Sequence, residues 1–189
     1  MADEEFQVEN TPGYQAPKKV DLGTLQELDK DDEALNRWKA ALLQGAETAK
    51  NTDDPRKVIV QAMIFHTNDH EDLVLDLTGD LSTLKEKSFT IKEGCQYRIK
   101  IDFKIQNEVV SGLRYVDAVY RKGVRVERNN FMLGSYGPKP ETQTAMTPWQ
   151  EMPSGMLARG HYKVKSKFID DDGETHLAWE WTFDLKKSW

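Results

Sequence analysis

A few side chains in this 189-residue sequence carry atoms able to do chemistry. His66 and His70 stand four apart, the spacing at which two imidazoles on one helical turn share a metal ion. Asn68 and Asp69 lie between them and an apolar run precedes them, so an exposed turn after a strand is the stronger reading. Cys95, the only cysteine, follows Gly94 beside an alternating segment. A small buried thiol is the ordinary reading there, and a nucleophile would need a base at hand. Asp170, Asp171 and Asp172, followed by Gly173, read first as a hairpin loop and second as a partner contact. The sequence holds no nucleophile elbow, phosphate loop or dinucleotide fingerprint, and no carboxylate pair is singled out for glycoside hydrolysis. We therefore expect no catalytic residue, no metal and no cofactor.

Trp179 and Trp181 fall on one side of an alternating segment. They are either plain core or part of a slot between two sheets, lined by Trp181, Tyr97, Phe89 and aliphatics, that takes an apolar ligand. An aromatic face for carbohydrate is a third reading, although such modules are typically secreted and this composition does not look so. The residues alone leave these open.

The elements that must position these groups are strands. Tyr97, Ile99, Ile101, Phe103 and Ile105 alternate with Arg98, Lys100, Asp102 and Lys104, the mark of one buried and one wet face. His161–Ile169 repeats the pattern, and His176–Leu185 sets Leu177, Trp179, Trp181, Phe183 and Leu185 against Glu180, Thr182 and Asp184. Val58–Phe65 is an apolar strand, and Leu113–Tyr120 pairs with Val124–Arg128 through a turn at Lys122-Gly123. Turn signals also sit at Thr78-Gly79, Glu93-Gly94, Ser135–Pro140 and Asp170–Gly173. The fold class is all-β: an immunoglobulin-like antiparallel sandwich.

Charge divides the chain. Residues 1–54 carry 13 acidic and 6 basic side chains, a net −7, whereas residues 55–189 carry 19 and 20, a net +1. The first segment also holds only Phe6, Tyr14 and Trp38 of the 18 aromatics, too little apolar surface to offset its ordering entropy. We read residues 1–54 as an acidic arm, mostly disordered when free, and residues 55–189 as the sandwich. Thr11–Pro17 is extended. Leu22, Leu25 and Leu28 mark a short helix; Leu35, Trp38 and Leu42 mark a second, ending at Gly45 and N-capped by Asp31 or Asp32. Both are short enough to need a partner surface. An acidic arm, with no clustered basic stripe in the body, excludes nucleic-acid binding. No apolar run nears the ~18 residues of a spanning helix, Met1–Asn10 is acidic where a signal peptide is basic, and the lone thiol suits a reducing compartment; the expected location is cytoplasmic.

The sequence resembles the Rho GDP-dissociation inhibitor family from about Tyr14 to Trp189. The resemblance rests on Leu28-Asp-Lys-Asp-Asp-Glu33, Leu75-Asp-Leu-Thr-Gly-Asp-Leu81, Lys92-Glu-Gly94, Tyr97-Arg-Ile-Lys-Ile101 and Gly134-Ser-Tyr-Gly-Pro138. It continues through Gly155-Met-Leu-Ala-Arg-Gly160, Asp170–Asp172 and Trp179-Glu-Trp181. It implies a protein that is not an enzyme, binds prenylated Rho-family GTPases preferentially with GDP, slows nucleotide release and takes its cargo off membranes. It further implies a monomer in a 1:1 complex, with no stable membrane insertion of its own.

The resemblance also assigns residues. The arm would fold as a helix-loop-helix on the GTPase switch regions, with Asp32, Leu35, Trp38 and Leu42 in contact and Asp172 reaching the same surface. The sandwich slot would take the isoprenoid, lined by Ile64, Phe89, Tyr97, Val109, Val164 and Trp181. Glu141 and Glu151 would meet the GTPase's basic tail, in a stretch less acidic than is usual for the family. Ser88 matches a regulatory serine, whereas Asp21 and His161 stand where others of the family carry serine.

Overall fold

The computed structural model describes residues 24, 31–44, 46 and 49–189; the extended segment Thr11–Pro17 and the leucines of the expected first helix lie outside them. The second helix, α1, spans Glu33–Leu43. Asp32 caps it, its Oδ1 accepting from the backbone N–H of Ala34 at 2.9 Å and of Leu35 at 3.0 Å, which satisfies two of the orphan donors of the first turn. The helix does not stand alone: Leu42, Ala46 and Ala49 are buried, and the last turn rests on the backbone of Gly137. Leu35 is half-buried and Trp38 is 49% exposed, so the part of its apolar stripe nearer the N-terminus stays open.

Ten strands make the body: β1 (Val58–Thr67), β2 (Leu73–Asp76), β3 (Ser88–Lys92), β4 (Gln96–Ile105), β5 (Val110–Arg121), β6 (Val124–Tyr136), β7 (Gln143–Met146), β8 (Gln150–Glu151), β9 (Gly160–Ile169) and β10 (Thr175–Lys186). One sheet runs β2-β1-β4-β7, with β8 also on β4; the other runs β3-β10-β9-β5-β6. Their inner faces share one core, in which Phe103 and Phe168 meet across the sandwich at 5.3 Å. The alternation read from β4 is realised residue by residue: Tyr97, Ile99, Ile101, Phe103 and Ile105 are all buried. Each such side chain contributes on the order of 1.5–3 kcal/mol on burial. Between β5 and β6, Lys122 (φ 50°) and Gly123 (φ 81°) both take the left-handed region, the mark of a two-residue type I′ hairpin turn that suits the strand twist.

The structure departs from the sequence reading in four places. The sandwich is antiparallel except at one edge, where β3 runs parallel to β10, placing Phe89 beside Phe183. Thr182, assigned to the wet face of β10, is buried, because a 3₁₀ helix at Leu81–Glu86 covers that face and Lys85 offers its carbonyl to the Thr182 hydroxyl at 3.4 Å. Ile64 lies on the opposite side of β1 from the buried Met63 and Phe65, and a register shift between Val60 and Ala62 sets that phase. The basic residues do gather: pairing of β5 with β6 and with β9 puts Arg125 and Arg128 in register with Tyr120 and Ala118, and those with Lys163 and Lys165.

Candidate functional site

At one end of the sandwich the sheets part around a cavity of about 360 Å³, within the ~300–1,000 Å³ range of small-ligand sites. Phe65, Tyr97 and Ile99 come from the first sheet; Tyr115, Val119, Tyr162, Val164, Trp181 and Phe183 come from the second. Ring packing sets its walls. Phe65 stacks on Tyr97 at 4.7 Å, Tyr162 on Phe183 at 4.9 Å, and Trp181 tilts against Phe183 at 5.7 Å. The polar ends of the wall residues are already paired inside the protein: Trp181 Nε1 donates to Ser166 Oγ at 3.1 Å, and Ser166 Oγ also bonds the Tyr115 hydroxyl at 2.9 Å. On these walls, what faces the space is mostly hydrocarbon and aromatic surface.

One wall is different. Asp117, Glu127 and Asn129 line the same cavity. Asp117 is buried, and burial pushes its carboxyl up to about 7 from an ordinary 3.8, against the hydrogen bond that Asn129 Nδ2 donates at 3.1 Å and with the charge of Glu127 adding to the rise. A carboxyl so placed is half neutral near pH 7 and suits an apolar occupant better when protonated.

Of the residues assigned to the slot by resemblance, Tyr97, Val164 and Trp181 line this cavity. Phe89 sits one layer out, edge-on to Trp181 at 6.2 Å. Ile64 points away from it, with Phe65 in the position it was assigned. Val109 is half-buried in the loop before β5 and is not among the lining residues. Sequence reasoning missed Phe65, Tyr115, Asp117, Tyr162 and Phe183. Tyr162 and Phe183 lay on apolar faces already legible, whereas Asp117 carries no signal short of the fold.

The carboxylates of the β9–β10 loop divide by role. Asp170 is buried and takes His176 Nε2 at 2.9 Å and the Glu174 backbone N–H at 2.9 Å; burial alone would raise its carboxyl, but His176 and these backbone bonds hold it low. Asp171 forms a mostly buried pair with Arg114 at 2.8 Å. Asp172 is exposed at the tip. The first two hold the loop; the third is presented. Among the described residues Asp170, Glu174 and His176 also bring ligand-type atoms within 4.8 Å of one another, but the imidazole and Asp170 already satisfy each other.

The other assigned positions are on the surface. Asp32 is exposed at the start of α1, Glu141 is exposed before β7, and Glu151 is exposed on β8 with Gln96 Nε2 on its carboxylate at 3.0 Å. Ser88 is exposed at the first position of β3. His66 and His70 are drawn apart in role: His66 Nδ1 meets Asp72 at 2.5 Å, whereas the His70 ring stacks on Trp189 at 4.2 Å. Cys95 is buried, and burial, with Asp69 adding, pushes its thiol up to about 11, away from the thiolate form that reactive cysteines need.

No helix among the described residues is long and apolar enough to cross a membrane. Over residues 1–188 the sequence matches the family described as RHO protein GDP dissociation inhibitor. It is 43% identical to Rho GDP-dissociation inhibitor 1 of Bos taurus and to that of Homo sapiens, over 189 residues covering 100% of this chain and 93% of each relative. To Rho GDP-dissociation inhibitor 3 of Homo sapiens it is 40% identical over 181 residues, 96% of this chain and 80% of the relative.

Proposed function

The chain belongs to the Rho GDP-dissociation inhibitor family, and from that premise we propose how its parts divide the work. The protein is a regulator of Rho-family GTPases and not an enzyme. The cavity takes the isoprenoid of a prenylated, GDP-bound GTPase. The arm, through Asp32 and the open Trp38 end of α1, and the loop tip, through Asp172, engage the switch regions and hold them closed over the nucleotide. Glu141 and Glu151 lie toward the GTPase's basic tail, and Ser88 is a modification site at the edge strand beside the cavity. The complex is 1:1 with a monomeric inhibitor, and it is cytoplasmic.

The observation that carries this reading is the cavity itself: a slot between the sheets walled largely by aromatic and aliphatic side chains, with the polar ends of Trp181 and Tyr115 paired inside the protein. The energetics explain why two regions are needed. A prenyl chain of about twenty carbons gains on the order of 10 kcal/mol on leaving water. A bilayer offers that chain a similar gain, so the slot alone breaks even, and contacts to the protein part must tip the balance toward the complex. The same contacts restrain the switch loops, and a partner that favours the closed form slows nucleotide escape.

The test is affinity for one Rho-type GTPase, prenylated and unprenylated, in membrane-free solution. Binding at least about a hundredfold tighter with the prenyl group supports the assignment. Equal affinities would overturn the cavity's role.

A further inference from the structure

The mouth of the cavity is built from side chains that a solvated rim does not need. Among the lining residues, Val126, Glu127 and Pro153 are the exposed ones, so the mouth opens between the β5–β6 hairpin and the loop that precedes β9. On the hairpin, Val124 is 65% and Val126 55% exposed; on the loop, Met156 is 82% and Leu157 90% exposed. These four sit on two segments that meet, because the Arg121 guanidinium donates to the carbonyls of Leu157 and Arg159.

The loop is not loosely carrying two stray apolar side chains. Its backbone is tied at several points. Glu93 accepts from the Gly155 N–H at 3.0 Å and grips Arg159 through two bonds of 2.7 and 2.6 Å. Tyr162 donates its hydroxyl to the Ala158 carbonyl, and Arg121 lies over the Tyr162 ring at 5.4 Å. Fixed backbone with Met156 and Leu157 held outward is the arrangement of an apolar contact surface awaiting a partner.

The charge on the hairpin side of that rim indicates which partner, while Glu151, exposed between the lining residues Gln150 and Met152, carries the opposite sign on the far side. Lys122, Arg125 and Arg128 are exposed on the hairpin with Glu127 the only acid among them. Directly behind, the outer face of the second sheet continues the positive surface with Lys163 and Lys165 in register with Tyr120 and Ala118. Lys163 is offset by Glu180 at 2.7 Å, and Lys165 lies over the Tyr120 ring at 5.0 Å. Exposed apolar residues at a cavity mouth, backed by a cationic face, match the layered chemistry of an anionic bilayer: hydrocarbon boundary below, phosphate and carboxylate above.

We propose that the rim formed by Val124, Val126, Met156 and Leu157, with Lys122 and Arg125 behind it, docks the protein reversibly on anionic lipid bilayers with the cavity mouth facing the membrane. The apolar side chains enter the interfacial layer and the cations meet the headgroups. Docking of this kind places the slot where an isoprenoid leaves the bilayer, so the chain need not cross open water. This docking is distinct from cargo binding, and the vesicles that report it carry no cargo.

The experiment is co-sedimentation of the full chain with vesicles of phosphatidylcholine plus phosphatidylserine, and of phosphatidylcholine alone. The wild-type protein is expected to bind the mixed vesicles several-fold more than the neutral ones. Met156→Asp with Leu157→Asp is expected to lower that binding at least about tenfold, and Lys122→Ser with Arg125→Ser about fivefold per charge removed. A matched melting curve and undiminished affinity for a soluble farnesylated peptide in vesicle-free buffer establish that the variants are folded with their slots open. Equal sedimentation of wild type and both variants, or no preference for phosphatidylserine, overturns the proposal. Loss of farnesyl-peptide binding by folded variants also overturns it, because the rim would then belong to the slot. Failure of the wild-type protein to bind that peptide would instead strike the cargo reading, and leave the vesicle result standing on its own.

Discussion

A side chain at Gly137 would place its first carbon 1.6 Å from the backbone oxygen of Leu42. The last turn of α1 thus seats on a bare stretch of backbone just beyond β6, and no flexible side-chain end is there to yield. Gly137→Ala is expected to displace α1 while leaving the sandwich folded, since the clash falls between the helix and a loop. Amide exchange across Glu33–Leu43 should accelerate markedly, the melting temperature should move by only a few degrees, and inhibition of GDP release should need several-fold more protein. Unchanged exchange in α1 would mean that the helix does not depend on this seat.

Much of the fold was legible because β4, β9 and β10 alternate cleanly and the Lys122-Gly123 turn announces its hairpin. The edge strands β7 and β8 are too short to show a period, and β3 joins by a parallel pairing that no local pattern signals. The site was legible in part. Tyr97, Val164 and Trp181 sit on readable faces, but β1 is apolar on both faces, so only the register shift near Val60 decides that Phe65 rather than Ile64 turns to the cavity. The basic face was invisible because its members are separated by some forty residues and meet only through strand register. The seat of Leu42, at the end of α1, against Gly137 was likewise invisible, because the two residues are far apart in the chain and meet only in the fold.

Asp32 has two tasks to separate, a cap and a proposed charge contact. Asp32→Asn keeps an oxygen for the Ala34 and Leu35 N–H groups and removes the charge; Asp32→Ala removes both. Affinity for a Rho-type GTPase is expected to fall about tenfold in each, with helix content retained only in the asparagine variant. Wild-type affinity in Asp32→Asn, measured by titration calorimetry, would reduce the residue to a cap.

Val164 lies on the cavity wall and is almost fully buried. A larger side chain there grows into existing space, so Val164→Phe is expected to melt within a few degrees of the wild type. It should lower affinity for a prenylated GTPase at least about tenfold while leaving the unprenylated form unaffected. Retained affinity in a folded variant would place the isoprenoid elsewhere.

The carboxyl of Asp117 supplies a pH dependence. Its value in the folded chain is raised by burial to about 7 from 3.8, so between those limits the folded state binds more protons than the unfolded one. Stability therefore falls as pH rises from about 4 to about 7. Asp117→Asn should remove that part of the slope, seen as a wild-type-minus-variant difference in urea midpoints that grows more unfavourable toward pH 7. Prenyl-peptide binding should likewise be tighter near pH 6 than near pH 8 in the wild type, and flat in the variant. Parallel pH profiles would show that Asp117 does not titrate in this range.

The central claim is that slot and arm act together on one cargo. The most direct measurement is release of a prenylated Rho-type GTPase from membranes, with GDP release followed in the same samples. GTPase appearing in the supernatant with its nucleotide exchange slowed is the expected result. Release at an undiminished rate of GDP loss, or no release at all, would contradict it.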